Sequence, residues 1–199
     1  MKPKIPTIPG TAFAGGFYAG RINIDNIEYA LVIAPKAEGE SGGIWNGSIK
    51  EIKGALNYSD GLANTKAMAK TDSKLAQWAQ ALKIGGYADW YLPSLDELEL
   101  CYRYLKPDVE QNYCWARAGI NLSAVPPTWP YTPEAPKQTK VKAFRKGGAQ
   151  AFDLTWYWTS TQHAAHSDRA WMQLFSHGGQ DYNLKSGGCR ARAVRRIKI

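Results

Sequence analysis

Three cysteines and three histidines are the residues of this 199-residue chain best equipped for chemistry, and their spacing limits what they could do. Cys101, Cys114 and Cys189 stand far apart, with no C-x-x-C pair of the kind that holds zinc or exchanges disulfides. Their odd number leaves at least one free thiol, which suits synthesis in a reducing compartment. His163, His166 and His177 could be drawn with Asp168 and Asp181 as a metal site, but no interval among them matches a ligand motif. Calcium would ask for a close set of carboxylates and amides, and this stretch offers Asp168 and Asp181 alone. Asp96, Glu97 and Glu99 could serve as paired acid and base, yet they open a helix, where negative charge complements the dipole. These residues predict no catalytic group and no cofactor.

The formal charge of +8 invites a search for an anionic partner. Lys137, Lys140, Lys142, Arg145 and Lys146 form one acid-free cluster, and Arg190, Arg192, Arg195, Arg196 and Lys198 form another. Ten of the 25 bases sit there, so the rest of the chain is close to balance against 17 acids. Two local patches without a recognition motif leave binding of nucleic acid or another polyanion as a minor alternative.

The elements that must position these groups follow from periodicity and punctuation. Pro3, Pro6 and Pro9 predict an extended arm over 1–10, and 11–199 reads as one domain. Gly15 to Ile22 and Glu28 to Ala34 predict strands around an Asp25-Asn26 turn. The stretch from Gly39 to Gly47 reads as turns, and Gly54 to Asn64 as loop with short extended pieces. Leu75, Trp78, Ala79 and Leu82 fall at helical spacing behind a cap at 71–73. A second helix opens on Ser94 and Glu97, a capping box, buries Leu95, Leu98, Tyr102 and Leu105, and stops at Pro107; Cys101 on it reads as a small core hydrophobe. Five prolines and the first basic cluster make 121–148 an inserted loop. Strands then return at Thr155 to Thr161, Ala170 to Phe175 and Arg190 to Ile197, with glycine pairs at 178–179 and 187–188 between them. No run approaches the roughly 18 apolar residues of a membrane span and no apolar signal core opens the chain, so the expectation is a protein made soluble in the cytoplasm, without membrane insertion.

Gly86-Tyr87-Ala88-Asp89-Trp90-Tyr91-Leu92-Pro93-Ser94 followed by Asp96-Glu97-Leu98 resembles the "DWRLP…EL" signature of the Lcl C-terminal-domain-like family of bacteria and phages. Tyr157-Trp158-Thr159-Ser160-Thr161, Ala170 to Phe175 and Arg192-Ala193-Val194-Arg195 are similar to its "YWSST…AW…F…VRxVR" ending, in the same order. The resemblance implies an α+β, C-type-lectin-like fold of the formylglycine-generating-enzyme subtype: two helices, small antiparallel sheets, long loops and chain ends brought together. Within that group the chain looks most like the variable proteins of diversity-generating retroelements, many of them receptor binders at phage tail tips. The opening Gly15 to Gly20 and Ala34 to Glu40 also resemble phage-borne members. The resemblance further implies a non-enzymatic receptor binder, associated with a virion or phage tail and presented to a protein or cell-surface receptor or to tail-fibre components. Whether it forms an oligomer stays open. The same fold houses a copper-dependent oxidase with a close cysteine pair, which makes a formylglycine-generating-type oxidoreductase the alternative; the wide cysteine spacing speaks against it.

Between 163 and 189 the sequence divides into two populations. Trp171, Met172, Gln173, Phe175, Gly178, Gln180, Lys185 and Arg190 are the types the family keeps as scaffold. Between and before them fall the residues expected to bind ligand: His163, His166, Ser167, Arg169, Leu174, Ser176, His177, Gly179, Asp181, Tyr182, Asn183, Leu184, Ser186, Gly187, Gly188 and Cys189. From Leu174 onward these are chemically miscellaneous and show no strand or helix period, as suits a surface chosen for contact chemistry. Leu174, Ser176, His177, Asp181, Tyr182 and Leu184 are expected on one exposed face near His166, over buried supports at Trp158, Trp171 and Phe175.

Overall fold

The computed structural model describes residues 4–199, so the Pro3 end of the expected arm lies outside the described residues. Among the described residues, two sheets and four α-helices make the α+β fold. The strands are β1 (Ala12–Phe13), β2 (Gly16–Ile24), β3 (Ile27–Ile33), β4 (Glu40–Ile44), β5 (Trp156–Gln162), β6 (Arg169–Leu174), β7 (Gln180–Leu184), β8 (Gly188–Arg192) and β9 (Val194–Lys198). The helices are α1 (Lys36–Gly39), α2 (Gly61–Ala69), α3 (Lys74–Ala81) and α4 (Leu95–Leu105). Among the described residues no helix is long and apolar enough to cross a membrane.

The first sheet, β1-β2-β3-β9, is antiparallel, and its hairpin closes on Asp25 and Asn26 at φ 51° and 63°. Two consecutive left-handed residues give the turn whose twist matches paired strands, and Asn and Asp tolerate that region best after glycine. The last strand brings the chain ends together: Ile199 shares a cleft with Ile5, Pro6 and Pro9. The second sheet runs β4-β8-β5-β6-β7 and is mixed, because β5 and β8 pair in parallel. The expected single strand from Arg190 to Ile197 is two. At buried Ala193 the chain leaves one sheet for the other, exchanging bonds with Gly39 and Ala34 on the way.

Alternation along β5 sets the two cores. Tyr157 faces α4 with Leu98, Cys101, Tyr102 and Phe175, whereas Trp158 faces α2 and α3 with Met68, Leu75, Ala79 and Met172. The second sheet is therefore covered on both sides by helices. Helix α4 begins as its sequence demands: Ser94 Oγ accepts from the Glu97 N–H and the Glu97 carboxylate accepts from the Ser94 N–H. The same carboxylate accepts the Tyr91 hydroxyl at 2.6 Å and the Gly61 N–H at 3.2 Å, which ties α4 to α2. Gly61 has no room for a β-carbon, which would collide with Glu97 Oε2.

Helix α2 departs from the expected loop, and the reason is physical. Its buried positions are Gly61, Asn64, Thr65 and Met68, a helical interval in which Met68 is the single large apolar residue, so no apolar stripe marks it. Strand β4, Glu-Ser-Gly-Gly-Ile, carries turn-forming residues into a strand and escapes the pattern for the same kind of reason. The segment 121–148 proves to be more than an inserted loop. Tyr131 and Phe144 enter the α4 core, with Tyr131 donating to Glu99 at 2.8 Å and Phe144 meeting Phe17 edge-on at 5.2 Å.

Candidate functional site

Strand β7 is one edge of the second sheet, β4 being the other, and β6–β7 is the hairpin on which the site is built. Periodicity predicts no strand here, because the side chains of an edge strand are exposed on both faces and need not alternate in polarity. Register places Trp171 opposite Tyr182 and Gln173 opposite Gln180 on one face, and Met172 opposite Asp181 and Ala170 opposite Asn183 on the other. The expected single display face is thus split. Tyr182 and Leu184 share a face with Trp171, while Asp181, Asn183 and Leu174 lie on the reverse.

Trp171 is the second departure. It is half-buried rather than sealed beneath the surface, unlike Trp158 and Phe175, which are fully buried as expected. Its ring is stacked 5.2 Å from His163 and stands edge-on to Tyr182 at 5.4 Å. His163 in turn lies 4.3 Å from Tyr182 and is stacked on His166 at 4.8 Å. The turn that delivers these histidines is pinned by its own side chain, since His163 Nδ1 accepts the N–H groups of Ala165 and His166 at 3.2 and 3.1 Å. Burial, then the charges of His166 and Arg169, hold the His163 imidazolium below its ordinary pKa, so the neutral acceptor form is favoured.

On the other side of Tyr182 is a cavity of about 390 Å³ between the hairpin and Tyr113. Tyr113 is held there by its N–H bond to His177 O at 2.8 Å, with the two rings 5.5 Å apart. Trp156, Trp171, Gln180 and Asp181 complete the walls. A relay of amides fixes one of them: Gln173 Nε2 donates to Gly178 O at 2.6 Å, and Gln180 Nε2 donates to Gln173 Oε1 at 2.9 Å. Only one orientation of Gln180 satisfies this chain, and it leaves Gln180 Oε1 buried without a partner. Trp171 Nε1 is likewise buried and unbonded. An unpaired donor and an unpaired acceptor thus belong to side chains lining one aromatic-walled cavity.

Of the sixteen residues expected to bind ligand, only Gly179 is buried; the rest are at least partly exposed. The structure brings His163, His166, Arg169 and Tyr182 together, Arg169 lying 5.5 Å over the Tyr182 ring, and places His177 across the cavity from them. It does not bring Gly188 and Cys189 there. They sit on β8, three strands from β7, and the Cys189 thiol lies 3.8 Å from Met172 Sδ beneath the sheet, where burial pushes it up to about 11. Asp181 and Asn183 turn their side-chain oxygens back along the edge, accepting the N–H groups of Tyr182 and Leu184, each at 2.8 Å. Sequence reasoning missed Trp171, Gln180, Tyr113 and Trp156 as site residues. Tyr113 lies some fifty residues upstream in a segment without periodicity, so no local signal could have placed it.

Several groups with the chemistry for catalysis are engaged elsewhere. Glu99 accepts from Asn121, Tyr131 and Arg103, and Asp96 from Arg117 and Ser123. Asp89, from the Asp-Trp pair of the family-like signature, holds Arg195 bidentate at 2.7 and 2.9 Å. Arg192 is buried and Arg196 pairs with Asp60 at 2.8 Å, so the C-terminal basic cluster is largely consumed inside the fold. Lys185 keeps its scaffold role: its ammonium bonds Gln162 and Lys50 O, and desolvation lowers it to about 8. All three cysteines are free thiols. Among the described residues, no group of three or more His, Cys, Asp or Glu lies close enough to hold a metal ion.

The family described as the Lcl C-terminal domain matches residues 39–195, most of the chain and the whole of the site. No curated protein and no solved structure matches it.

Proposed function

Because the chain belongs to the Lcl C-terminal domain family, we propose that it is a recognition module of C-type-lectin-like fold that performs no chemistry and binds a macromolecular receptor through the β6–β7 hairpin. The observation that carries this reading is the half-exposed cluster of Trp171, Tyr182, His163 and His166 at a sheet edge. Rigid aromatic side chains bring large contact area at low entropy cost, and such residues dominate affinity at interfaces. The setting, on this reading, is a phage or prophage adhesin whose 163–189 segment is diversified by a retroelement. An edge strand suits that use, because its partly exposed side chains can change type without disturbing the covered interior of the sheet.

The disposition of the thiols supports the absence of chemistry. Cys101 is sealed in the α4 core, where desolvation raises its pKa, Cys114 lies exposed, and Cys189 lies beneath the second sheet. Oxidation of a peptidyl cysteine needs a low-pKa or metal-bound thiolate. The test applies the fluorescently labelled chain to a panel of bacterial strains. Retention that is lost in Tyr182→Ala and Trp171→Ala variants of unchanged fold is expected; retention indifferent to both would move recognition to another surface.

A further inference from the structure

The cavity beside Tyr182 differs in charge from the chain around it. The protein carries +8 overall, yet among the described residues no lysine or arginine lines this cavity, and Asp181 is its acid. Four of its walls, Tyr113, Trp156, Trp171 and Tyr182, are aromatic rings, whose faces carry partial negative charge. The unbonded Gln180 Oε1 adds an acceptor whose direction the amide relay fixes. Negative ring faces, a carboxylate and a fixed acceptor together select a cation.

We propose that this cavity receives an arginine side chain of a polypeptide partner. The flat guanidinium stacks on the rings and donates to Gln180 Oε1, and Asp181, which lines the cavity although its side chain leaves β7 on the other face, adds countercharge from there. A guanidinium suits the site better than an ammonium, because it is planar, weakly hydrated and presents its donors as a fork. The remaining unsatisfied group, the Trp171 N–H, needs an acceptor, which the backbone carbonyls of a peptide provide. Arg169 lies outside the lining but 5.5 Å over the Tyr182 ring, so that ring already takes one guanidinium within the molecule. The proposal rests on the recognition reading above and names the chemistry of its partner.

The full chain, labelled with nitrogen-15, is titrated with N-acetyl-L-arginine amide, its lysine counterpart and methyl glucoside, following the Trp171 indole N–H signal, identified by its loss in Trp171→Phe. A saturable shift with the arginine probe at about millimolar concentration is expected, as for a fragment of a larger ligand. The lysine probe should bind about tenfold more weakly and the sugar should leave the signal in place. Asp181→Asn, which keeps the bond to the Tyr182 N–H, should weaken the arginine probe about threefold, and Gln180→Leu about tenfold. Absence of a saturable shift, an equal response to lysine or sugar, or indifference to Asp181→Asn overturns the proposal. A silent arginine probe alongside cell retention that still depends on Tyr182 removes the arginine subsite and leaves the recognition face standing. Binding of the probe with cell retention indifferent to Tyr182 removes the partner assignment.

Discussion

Trp171 and Tyr182 face each other across two antiparallel strands, their ring centroids 5.4 Å apart and their planes at 86°. The pair couples a position expected to serve as scaffold to a position expected to vary, and neither ring is fully buried. Tyr182→Ala is expected to weaken receptor binding by at least about 1 kcal/mol while the melting midpoint moves by no more than about 3 °C. Trp171→Ala should do the same to binding at a somewhat larger cost in stability. Calorimetric melts beside cell-binding isotherms separate the two effects, and a large loss of stability with Tyr182→Ala would place that ring among the supports.

Glu97 should make stability depend on pH. Burial pushes its carboxyl up to about 7, against the bonds from Tyr91 and Ser94 and the charge of Arg196. A carboxyl with a folded-state pKa above its unfolded value of 4.5 contributes stability that is complete below that value and lost as pH rises through 7. Relative to the parent chain, Glu97→Gln should therefore gain ground between about pH 4 and pH 8 in denaturant titrations. Parallel profiles for the two proteins would mean that Glu97 ionises as an ordinary glutamate.

Trp158 and Phe175 support the hairpin from opposite sides of the second sheet, and both are fully buried. Phe175 stacks on Phe152 at 3.7 Å and meets Tyr102 and Tyr157 edge-on. Truncation of either to alanine is expected to cost roughly 3–5 kcal/mol. Soluble variants with an unchanged midpoint would contradict the packing described.

Replacing Cys101 by alanine, Cys114 by serine and Cys189 by alanine in one chain should leave receptor binding in place. Cys101 is buried and its replacement is expected to cost about 1 kcal/mol, as for a small core hydrophobe. A peptidyl-cysteine oxidation activity present in the parent and lost in the triple variant would restore the oxidoreductase alternative.

The capping box at Ser94 and Glu97, the Asp25-Asn26 hairpin and the apolar stripe of α4 are legible because each is a local rule that the sequence obeys residue by residue. Helix α2 is hidden because Asn64 and Thr65 occupy its buried face, and their bonds to Asn57, Gly61 and Leu92 become visible only once the chain is folded. The histidines and Tyr182 stand out as types that packing does not require. Tyr113 does not, since its place in the cavity depends on a bond to His177 across 64 positions. The division of the displayed residues between two faces is equally hidden, because without a recognisable strand its two-residue alternation cannot be applied.

The side chains of Asp181 and Asn183 bear on how the protein behaves in a crowd of its own copies. An open strand edge is a template on which a second chain can add, and from such additions insoluble aggregates grow. Here the N–H groups of Tyr182 and Leu184 are already taken by the oxygens of the residues before them, so an incoming strand must break two bonds before it can pair in full. Sequence change along β7 is therefore free at Tyr182 and Leu184 in a way that it is not at Asp181 and Asn183. Apolar residues at those two positions would free both N–H groups and leave this edge more open to strand addition.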